Sequence, residues 1–387
     1  MRRNIGWRMA LGALLGAGLL AVALCAGCSL AMPAAEKPTQ AAEPQTLEEQ
    51  ADAIVAAMTT NEKIGQMVMI GIHGTELDED SKTMLRQFHI GGIVYFDRNI
   101  KSQDQLKSLS EQLQAYARGE AQQKVPLFLA IDEEGGTVSR GRGVIPAPPS
   151  EAAIGASGQP ERARMSAAST AQALRAVGIN LNLAPVADVS SSDARAFSGD
   201  AQTAARFTEE AVSGYEQEGM LCVLKHFPGI GKGAVDSHQE VSRVDAPRET
   251  LEREDLLPFA EVIASQRSED FLILVSHLIY PCYDAAHSAS QSRAVMTDLL
   301  RGQFGYQGII LTDDLEMGAV ANHVPLRQAG ANAVMAGADI VLVCHEYPHE
   351  EEVYLGIKDA VDVGEISEER LDASVRRIVL AKLAHAL

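Results

Sequence analysis

The chain is poor in cysteine, in aromatic side chains and in positive charge. Only five of its 387 residues are cysteines, one is tryptophan, and aromatic residues make up 5%. No CxxC pair or Cys/His ligand spacing is present, so the sequence indicates neither a disulfide framework nor a zinc site. Its 33 Lys and Arg against 52 Asp and Glu give a formal net charge of -19. This charge repels polyanions, and we expect no nucleic-acid partner.

The N-terminal segment has the layout of a secretory signal. Three arginines precede an apolar run from Met9 to about Cys25, and the run ends in Ala-Gly-Cys at 26–28. Small residues before a cysteine resemble a bacterial lipoprotein cleavage site, in which Cys28 is lipidated and becomes the mature N-terminus. An uncleaved membrane anchor and a simple secreted protein are the alternatives. All three place the body of the protein outside the cytoplasmic membrane.

A short polar stretch follows the signal. Residues 29–45 are rich in Ala, Pro, Glu and Gln and are predicted to form a flexible tether. We therefore predict a signal peptide over 1–28, a tether over 29–45 and a folded domain over 46–387, held at the membrane by the N-terminal lipid. No feature of the sequence indicates an oligomeric state.

From Thr46 onward, short apolar runs alternate with helical patterns, which is the signature of repeated βα units. The predicted strands are 66–72, 91–96, 127–132, 180–186, 221–227, 271–277, 308–314 and 338–344. Eight parallel strands with intervening helices fit a (β/α)8 barrel better than two doubly wound sheets, because no linker-like break interrupts the alternation. We expect a single α/β barrel domain.

Polar residues gather at the carboxyl ends of four predicted strands. These ends carry Asp132, Lys225 with His226, His277, and Asp313 with Asp314. Catalytic groups of a (β/α)8 barrel lie at the carboxyl ends of its strands. The pattern therefore predicts an active site at this mouth. His277 by itself is more typical of a structural histidine.

The stretch KHFPGIGKGAVDSHQE, residues 225–240, combines a glycine-rich loop with an Asp-Ser-His triplet. In an extended segment residues two apart point the same way, so Asp236 is able to hold one ring nitrogen of His238 while the other handles a proton. A surface turn with an accidental Asp and His is the alternative. A phosphate loop of the Walker kind is excluded because Lys232 is followed by Gly233. The glycines favour a flexible loop.

Two other motifs carry candidate residues. In LTDDLEMGA, strand alternation sends one of Asp313 and Asp314 toward the mouth, and the other is expected to cap the following helix. Sequence parity alone leaves open which does which. In AIDEEGGTVSRGRG, Asp132 is interpreted as an acceptor for hydroxyl groups, and Arg140 either orients Asp132 or contacts the ligand. Arg195, in DARAFSGD, by itself is typical of a solvated loop arginine.

These motifs together resemble a known family. KHFPGIGKGAVDSH is similar to the signature of glycoside hydrolase family 3 β-N-acetylglucosaminidases, the muropeptide-processing hexosaminidases of bacteria. The likeness continues through EKIGQMVMIGIHG, IDEEGGTVSR, NLAPVADV, RAFSGD, LTDDLEMGA and RLDASVRRIVLAKL. It covers nearly the whole chain after the tether. Several spaced motifs in the same order argue against chance agreement.

The resemblance implies retaining, two-step cleavage of a terminal β-linked N-acetylglucosamine, with no metal or organic cofactor. The position that matches the family nucleophile is Asp313, and the acid/base histidine with its aspartate partner falls on His238 and Asp236. The sugar-binding positions carry over to Asp132, Arg140, Arg195, Lys225 and His226. The expected partner is a glycan that contains N-acetylglucosamine, such as a cell-wall fragment.

One position departs from the family pattern. The family loop reads KHFPGHG, whereas Ile230 stands here in place of the second histidine. Because the Asp-Ser-His triplet keeps its spacing from Lys225, we expect the chemistry to persist, with loop closure or leaving-group preference altered. Three alternatives stay open: a family 3 enzyme that acts on other β-hexosides, phosphorolysis in place of hydrolysis, and a catalytically silent surface carbohydrate-binding protein.

Overall fold

The computed structural model describes residues 46–233 and 242–387. Its strands are β1 (Val68–Gly71), β2 (Gly92–Tyr95), β3 (Phe128–Ile131), β4 (Glu133–Gly135), β5 (Val138–Ser139), β6 (Leu181–Asn182), β7 (Leu221–Phe227), β8 (Phe271–Val275), β9 (Ile310–Asp314) and β10 (Ile340–Val343). Eight of them form a closed parallel barrel in the order β1-β2-β3-β6-β7-β8-β9-β10, and β10 pairs with β1 to close it. Strands β4 and β5 form a separate antiparallel hairpin. The predicted (β/α)8 barrel is confirmed.

Helices surround the barrel. They are α1 (Leu47–Ala56), α2 (Thr60–Gln66), α3 (Glu79–Gln87), α4 (Gln103–Arg118), α5 (Glu151–Gly155), α6 (Glu161–Arg175), α7 (Ala201–Gln217), α8 (Arg248–Arg253), α9 (Leu257–Ser265), α10 (Gly318–Ala321), α11 (Leu326–Ala336), α12 (Tyr347–Asp362) and α13 (Glu368–Ala384). A π-helix spans Ala294–Gln303, and short 3-10 turns span Asp97–Asn99 and Ala289–Gln291. None of the helices in the described part of the chain has the length and apolar character needed to cross a lipid bilayer.

The apolar runs form strands because a parallel barrel strand is covered on both faces. Every residue of β1, β2, β3, β7, β8 and β10 is buried.

Helix starts are set by local side chains. Before α2, for example, Thr59 Oγ1 accepts from the Glu62 N–H at 3.3 Å, and the Glu62 carboxylate accepts from the Thr59 N–H at 2.7 Å. This reciprocal pair satisfies two donors that the helix leaves free.

The connection after β3 contains the β4–β5 hairpin. The β4–β5 hairpin turns at Gly135, where φ is +96° and a Cβ would lie 2.3 Å from the carbonyl oxygen of Pro149. Only glycine fits that position without strain. The Glu133 carboxylate closes the loop by accepting from the Ser139 hydroxyl and from the Gly141 N–H at 2.8 Å. The hairpin thereby fixes the segment that carries Arg140.

A charged group is buried at the opposite end of the barrel, where the strands start. Asp339 directly precedes β10 and is fully buried. Its carboxylate accepts from Arg301 and Ser374, from Arg377 at 3.1 Å and from the Ile310 N–H at 2.9 Å. These partners compensate its burial and join β9, β10 and α13.

Candidate active site

The carboxyl ends of the barrel strands surround a pocket of about 360 Å³. Six of the predicted residues line it: Asp132, Arg140, Arg195, Lys225, His226 and Asp313. These residues come from loops or strands spread over nearly 200 positions of the sequence, and the barrel brings them together. The predicted Asp236 and His238 lie outside the described residues, as does Cys28 with the signal and tether segments.

A buried carboxylate organises the cationic side of the pocket. Glu134 has a side chain only 1% exposed, and Oε1 lies 2.6 Å from Lys225 Nζ. Its two oxygens also accept a bidentate pair from Arg195, at 2.8 and 2.9 Å. Burial alone would raise the pKa of Glu134, but the two cations outweigh it and lower the pKa to about 2. Glu134 is therefore ionised and holds both cations in place.

Lys225 joins this cluster to Asp132. Its Nζ lies 2.6 Å from Asp132 Oδ1, and its side chain is 4% exposed. Burial alone would lower the pKa of Lys225, but Asp132 and Glu134 raise it above the usual lysine value. The ammonium group is thus charged, and it fixes the carboxylate of Asp132 in the pocket wall. A charged donor beside a charged acceptor suits the recognition of adjacent hydroxyl groups.

His226 is oriented by a residue that the sequence reasoning did not single out. Its Nδ1 lies 2.7 Å from Asp188 Oδ2, and its Nε2 lies 3.2 Å from Arg195 Nη2. The arginine is a donor only, so in the neutral ring these partners place the proton on Nδ1 and leave Nε2 as an acceptor. The peptide bond between Lys225 and His226 is cis, and both side chains line the pocket.

The two adjacent aspartates have different surroundings. Asp313 lines the pocket, and its Oδ1 accepts from the Asp314 N–H at 2.9 Å. Burial alone would raise the pKa of Asp313, but His277, His226 and that N–H together lower it below the usual 3.8. Asp314 Oδ1 instead accepts from the Glu316 N–H at 3.0 Å, at the turn after β9. Asp313 is therefore ionised at the pocket, and Asp314 caps the turn after β9. The expectation that one of the two aspartates caps the following helix is wrong, because α10 begins after Met317 without a side-chain cap.

His277 is fully buried behind this pair. Its Nε2 lies 2.8 Å from the carbonyl oxygen of Asp314, and its Nδ1 lies 2.7 Å from Ser290 Oγ. A carbonyl oxygen only accepts, so Nε2 carries the proton and donates it there. The histidine fixes the end of β9, which is the structural use that the sequence favoured.

Arg140 reaches the pocket from the hairpin. Its backbone N–H donates to the Asp132 carbonyl oxygen at 3.2 Å, while its guanidinium lies 3.7 Å from Asp97 and 5.5 Å from the centroid of the Phe96 ring. Its Nε is buried without a partner among the described residues. Of the two roles considered for Arg140, contact with a ligand therefore fits better than orientation of the Asp132 carboxylate.

Glu134 and Asp188 are among the site residues that sequence reasoning missed. Both lie inside the motifs that carry the family resemblance, IDEEGGTVSR and NLAPVADV. Their proximity to Lys225 and His226 depends on the closed barrel, so only the motif position could have singled them out. No group of three or more His, Cys, Asp or Glu in residues 46–233 and 242–387 is arranged to hold a metal ion.

A closed (β/α)8 barrel that presents an ionised aspartate and paired charged side chains to one pocket has the architecture of a glycoside hydrolase. The chain belongs to glycosyl hydrolase family 3, since the model of the family's N-terminal domain matches residues 59–381. The resemblance seen in the sequence is thereby confirmed.

Named relatives agree with this membership. The chain is 31% identical to beta-hexosaminidase A of Pseudoalteromonas piscicida, over 86% of this chain and 62% of the relative. It is 33% identical to a beta-hexosaminidase of Alkalilimnicola ehrlichii, over 79% of this chain and 87% of the relative. Among solved structures, a family 3 beta-N-acetylglucosaminidase from Paenibacillus sp. matches with a TM-score of 0.82 and 37% identity, over 85% of this chain and 63% of that one. The chain thus spans less than two thirds of two of these proteins.

Proposed function

We propose that the protein is an exo-acting β-N-acetylglucosaminidase that removes a terminal β-linked N-acetylglucosamine by a retaining, two-step route. The observation that carries the proposal is the placement of Asp313, ionised, on the same pocket as Lys225 and Asp132. The names of the relatives, beta-hexosaminidase and beta-N-acetylglucosaminidase, support this choice of sugar.

The terminal sugar is bound by the charged side of the pocket, formed by Asp132, Lys225 and Arg195. Asp132 accepts hydrogen bonds from sugar hydroxyls, while Lys225 and Arg195 donate to sugar oxygens with hydrogens that Glu134 does not occupy. Hydrogen bonds to charged groups contribute about 1.5–3 kcal/mol each. Because these side chains are buried and paired before the ligand arrives, they lose little conformational entropy on binding. This side of the pocket recognises the hydroxyl-rich end of a glycan.

Asp313 is the nucleophile. Its carboxylate attacks the anomeric carbon, the bond to the leaving oxygen breaks, and a glycosyl ester forms on Asp313. The lowered pKa of Asp313 keeps the carboxylate ionised throughout the neutral range. The N–H of Asp314 donates to Asp313 Oδ1 at 2.9 Å, which fixes the plane of the attacking group.

His238 is the acid and then the base, with Asp236 as its partner. In the first step the imidazolium gives its proton to the departing oxygen. In the second step the neutral imidazole takes a proton from water, the water oxygen bonds to the anomeric carbon, and Asp313 is released. An imidazole that titrates near neutral pH is able to work in both directions. Asp236 stabilises the imidazolium form.

The substrate is a cell-wall fragment or a related glycan with N-acetylglucosamine at its end. The signal and the Ala-Gly-Cys sequence before the domain support an extracytoplasmic, lipid-anchored enzyme, where such fragments are available. A neutral or weakly charged glycan also suits a chain of net charge -19.

A panel of aryl β-glycosides with one leaving group tests the proposal. The purified protein is assayed on the N-acetylglucosaminide and the glucoside, with and without inorganic phosphate, and the sugar products are separated. We expect the N-acetylglucosaminide to be hydrolysed preferentially to the free sugar. Faster cleavage of the glucoside would assign another β-hexoside, and a sugar 1-phosphate would assign phosphorolysis. Binding without product would identify a silent carbohydrate-binding protein.

A further inference from the structure

A second buried glutamate lies behind the charged side of the pocket. Glu151 is the first residue of α5, is 4% exposed, and is not among the described residues that line the pocket. Its carboxyl lies close enough to Glu134, Lys225 and Arg195 for their charges to act on its pKa. The mechanism above leaves this acid without a role.

Glu151 makes one hydrogen bond with its carboxyl group. Oε1 accepts from the Val186 N–H at 3.0 Å, whereas Oε2 is buried and has no partner among the described residues. A buried ionised carboxylate with one hydrogen bond would be costly, and Lys225 and Arg195 already pair with Glu134. Burial and the charge of Glu134 raise the pKa of Glu151 well above its usual value, although the Val186 N–H and the two cations lower it. Glu151 is therefore an uncharged acid at neutral pH.

The hydrogen bond to Val186 acts on the segment that carries Asp188. Val186 forms a parallel bridge with Lys225, and the Ala187 N–H donates to the Lys225 carbonyl oxygen at 2.7 Å. The next residue is Asp188, whose Oδ2 lies 2.7 Å from His226 Nδ1. A shift of the backbone at Val186 therefore moves the Asp188 carboxylate relative to His226.

The Val186 N–H needs a side-chain acceptor because β3 has ended. Strand β3 ends at Ile131, whose carbonyl oxygen accepts from the Leu183 N–H at 2.8 Å. Val186 lies three residues further along the chain and is buried. A buried N–H without an acceptor is costly, and Glu151 supplies the acceptor.

Helix α5 is fixed against the loop of Arg195. The Ala152 N–H donates to the Ala194 carbonyl oxygen at 3.2 Å. Gly155 packs on the Phe197 carbonyl oxygen so closely that a Cβ would overlap it. These contacts give the first side chain of the helix a fixed place from which to hold the neighbouring segment.

We propose that Glu151 is a positioning residue of the proposed hydrolase. Through the Val186 N–H it sets the place of Asp188, and Asp188 in turn holds the ring of His226 in the orientation that binds sugar. This role requires the acceptor oxygen of Glu151 and no charge. The proposal rests on the proposed function, because it takes His226 as a sugar-binding residue.

Glu151→Leu and Glu151→Gln separate the hydrogen bond from the charge. Leucine removes the acceptor, whereas glutamine keeps an acceptor oxygen in an uncharged side chain of the same shape. We expect Glu151→Leu to raise KM for an aryl N-acetylglucosaminide by about 10-fold and to keep kcat within about 3-fold, because Asp313 is untouched. Glu151→Gln should recover most of the loss. Steady-state assays measure both variants, and urea unfolding checks that they are folded.

Two further variants serve as comparison and control. Glu134→Gln removes a charge that pairs with Lys225 and Arg195, so we expect the same substitution to raise KM there by about 10-fold or more. Ser150→Ala removes the Oγ that accepts from the Ala153 N–H at 3.3 Å in the same helix, and KM should stay within about 2-fold. Equal rises in KM for the two Glu151 variants, an unchanged KM in Glu151→Leu, or the same rise in Ser150→Ala would overturn the proposal.

The ring of His226 separates this inference from the proposed function. Imidazole nitrogen signals in NMR spectra report which ring nitrogen carries the proton, and His226→Asn identifies the signal by its loss. We expect Glu151→Leu to change this signal and Glu151→Gln to keep it. If wild type cleaves no N-acetylglucosaminide but this pattern is seen, the proposed function fails and the positioning role stands. If wild type is active and Glu151→Leu changes neither the signal nor KM, only the positioning role fails.

Discussion

Asp188 Oδ2 lies 2.7 Å from His226 Nδ1, and the other oxygen of the same carboxylate accepts from the backbone N–H of Ile230 at 2.8 Å. One buried carboxylate thus holds a histidine of the pocket and the start of the loop that leads to the Asp-Ser-His triplet. The side chain of Asp188 is 3% exposed. In such surroundings the two contacts are little screened by solvent.

Asp188→Asn should impair substrate binding. The Asn carboxamide has one acceptor oxygen in place of two. It is able to accept from His226 or from Ile230 but not from both, so one buried donor is left unpaired. We expect kcat/KM to fall by about 10- to 100-fold, equivalent to one lost charged hydrogen bond, with most of the change in KM. Steady-state assays on an aryl N-acetylglucosaminide measure it.

Asp193→Asn is the control for that change. Asp193 lines the same pocket, but among the described residues its Oδ1 accepts only the Arg195 backbone N–H, at 2.9 Å, and an Asn oxygen is able to accept the same bond. We expect less than about a 3-fold change for an isosteric swap that keeps its hydrogen bond. Equal effects of the two substitutions would contradict the specific role of Asp188.

Asp313→Asn removes the proposed nucleophile with almost no change in shape. A neutral amide does not attack the anomeric carbon, so we expect kcat to fall by about 10³-fold or more while the fold is retained. The readout is turnover of the aryl N-acetylglucosaminide, with urea unfolding as the check on folding. Turnover at the wild-type rate would remove Asp313 from the mechanism.

His238→Ala distinguishes leaving groups. A natural glycoside needs its departing oxygen protonated, whereas a nitrophenolate departs without help, so we expect about 10²- to 10⁴-fold loss on the former and a much smaller loss on the latter. Single-turnover measurements on both substrates isolate the first step. The same loss on the two substrates would show that His238 is not the acid.

Glu134→Gln should destabilise the protein in a pH-dependent way. The folded pKa of about 2 lies below the usual 4.5, so the carboxylate contributes stability above pH 4.5 that is lost as the pH falls toward 2. We expect the variant to lose about 3 kcal/mol of unfolding free energy at pH 7, because Lys225 and Arg195 lose their buried counter-charge. The difference between variant and wild type should shrink between pH 4.5 and 2.

Urea unfolding at several pH values measures this effect. Glu252→Gln is the control, since Glu252 pairs with Arg248 at 2.8 Å on an exposed helix face. An exposed pair contributes about 0–1 kcal/mol. A Glu134→Gln difference that stays constant with pH would mean that Glu134 acts through packing alone.

The barrel was predictable from the sequence because strands that are covered on both faces consist of consecutive apolar residues. All eight predicted strands are present, with β7 spanning the predicted 221–227. The largest difference is β6, which ends at Asn182 although the prediction extended to 186. Pro185 follows three residues later and lacks the N–H that a sheet partner needs.

Partnerships within the site were less predictable. Several residues that line the pocket could be placed at strand ends from the positions of the apolar runs. The pairing of Lys225 with Glu134, in contrast, joins positions 91 residues apart and depends on how the barrel closes. Strand alternation also did not anticipate that both Lys225 and His226 line the pocket. The assigned roles of Asp313, His238 and Asp236 stay predictions.

Asp339, at the amino ends of the strands, has its carboxylate enclosed by three arginines, a serine and a backbone N–H, on the far side of the barrel from Asp313. Neither Asp339 nor the side chains that pair with it line the pocket. Substitutions around Asp339 are therefore expected to change thermal tolerance while the pocket lining stays intact, whereas a substitution at Glu134 alters both together.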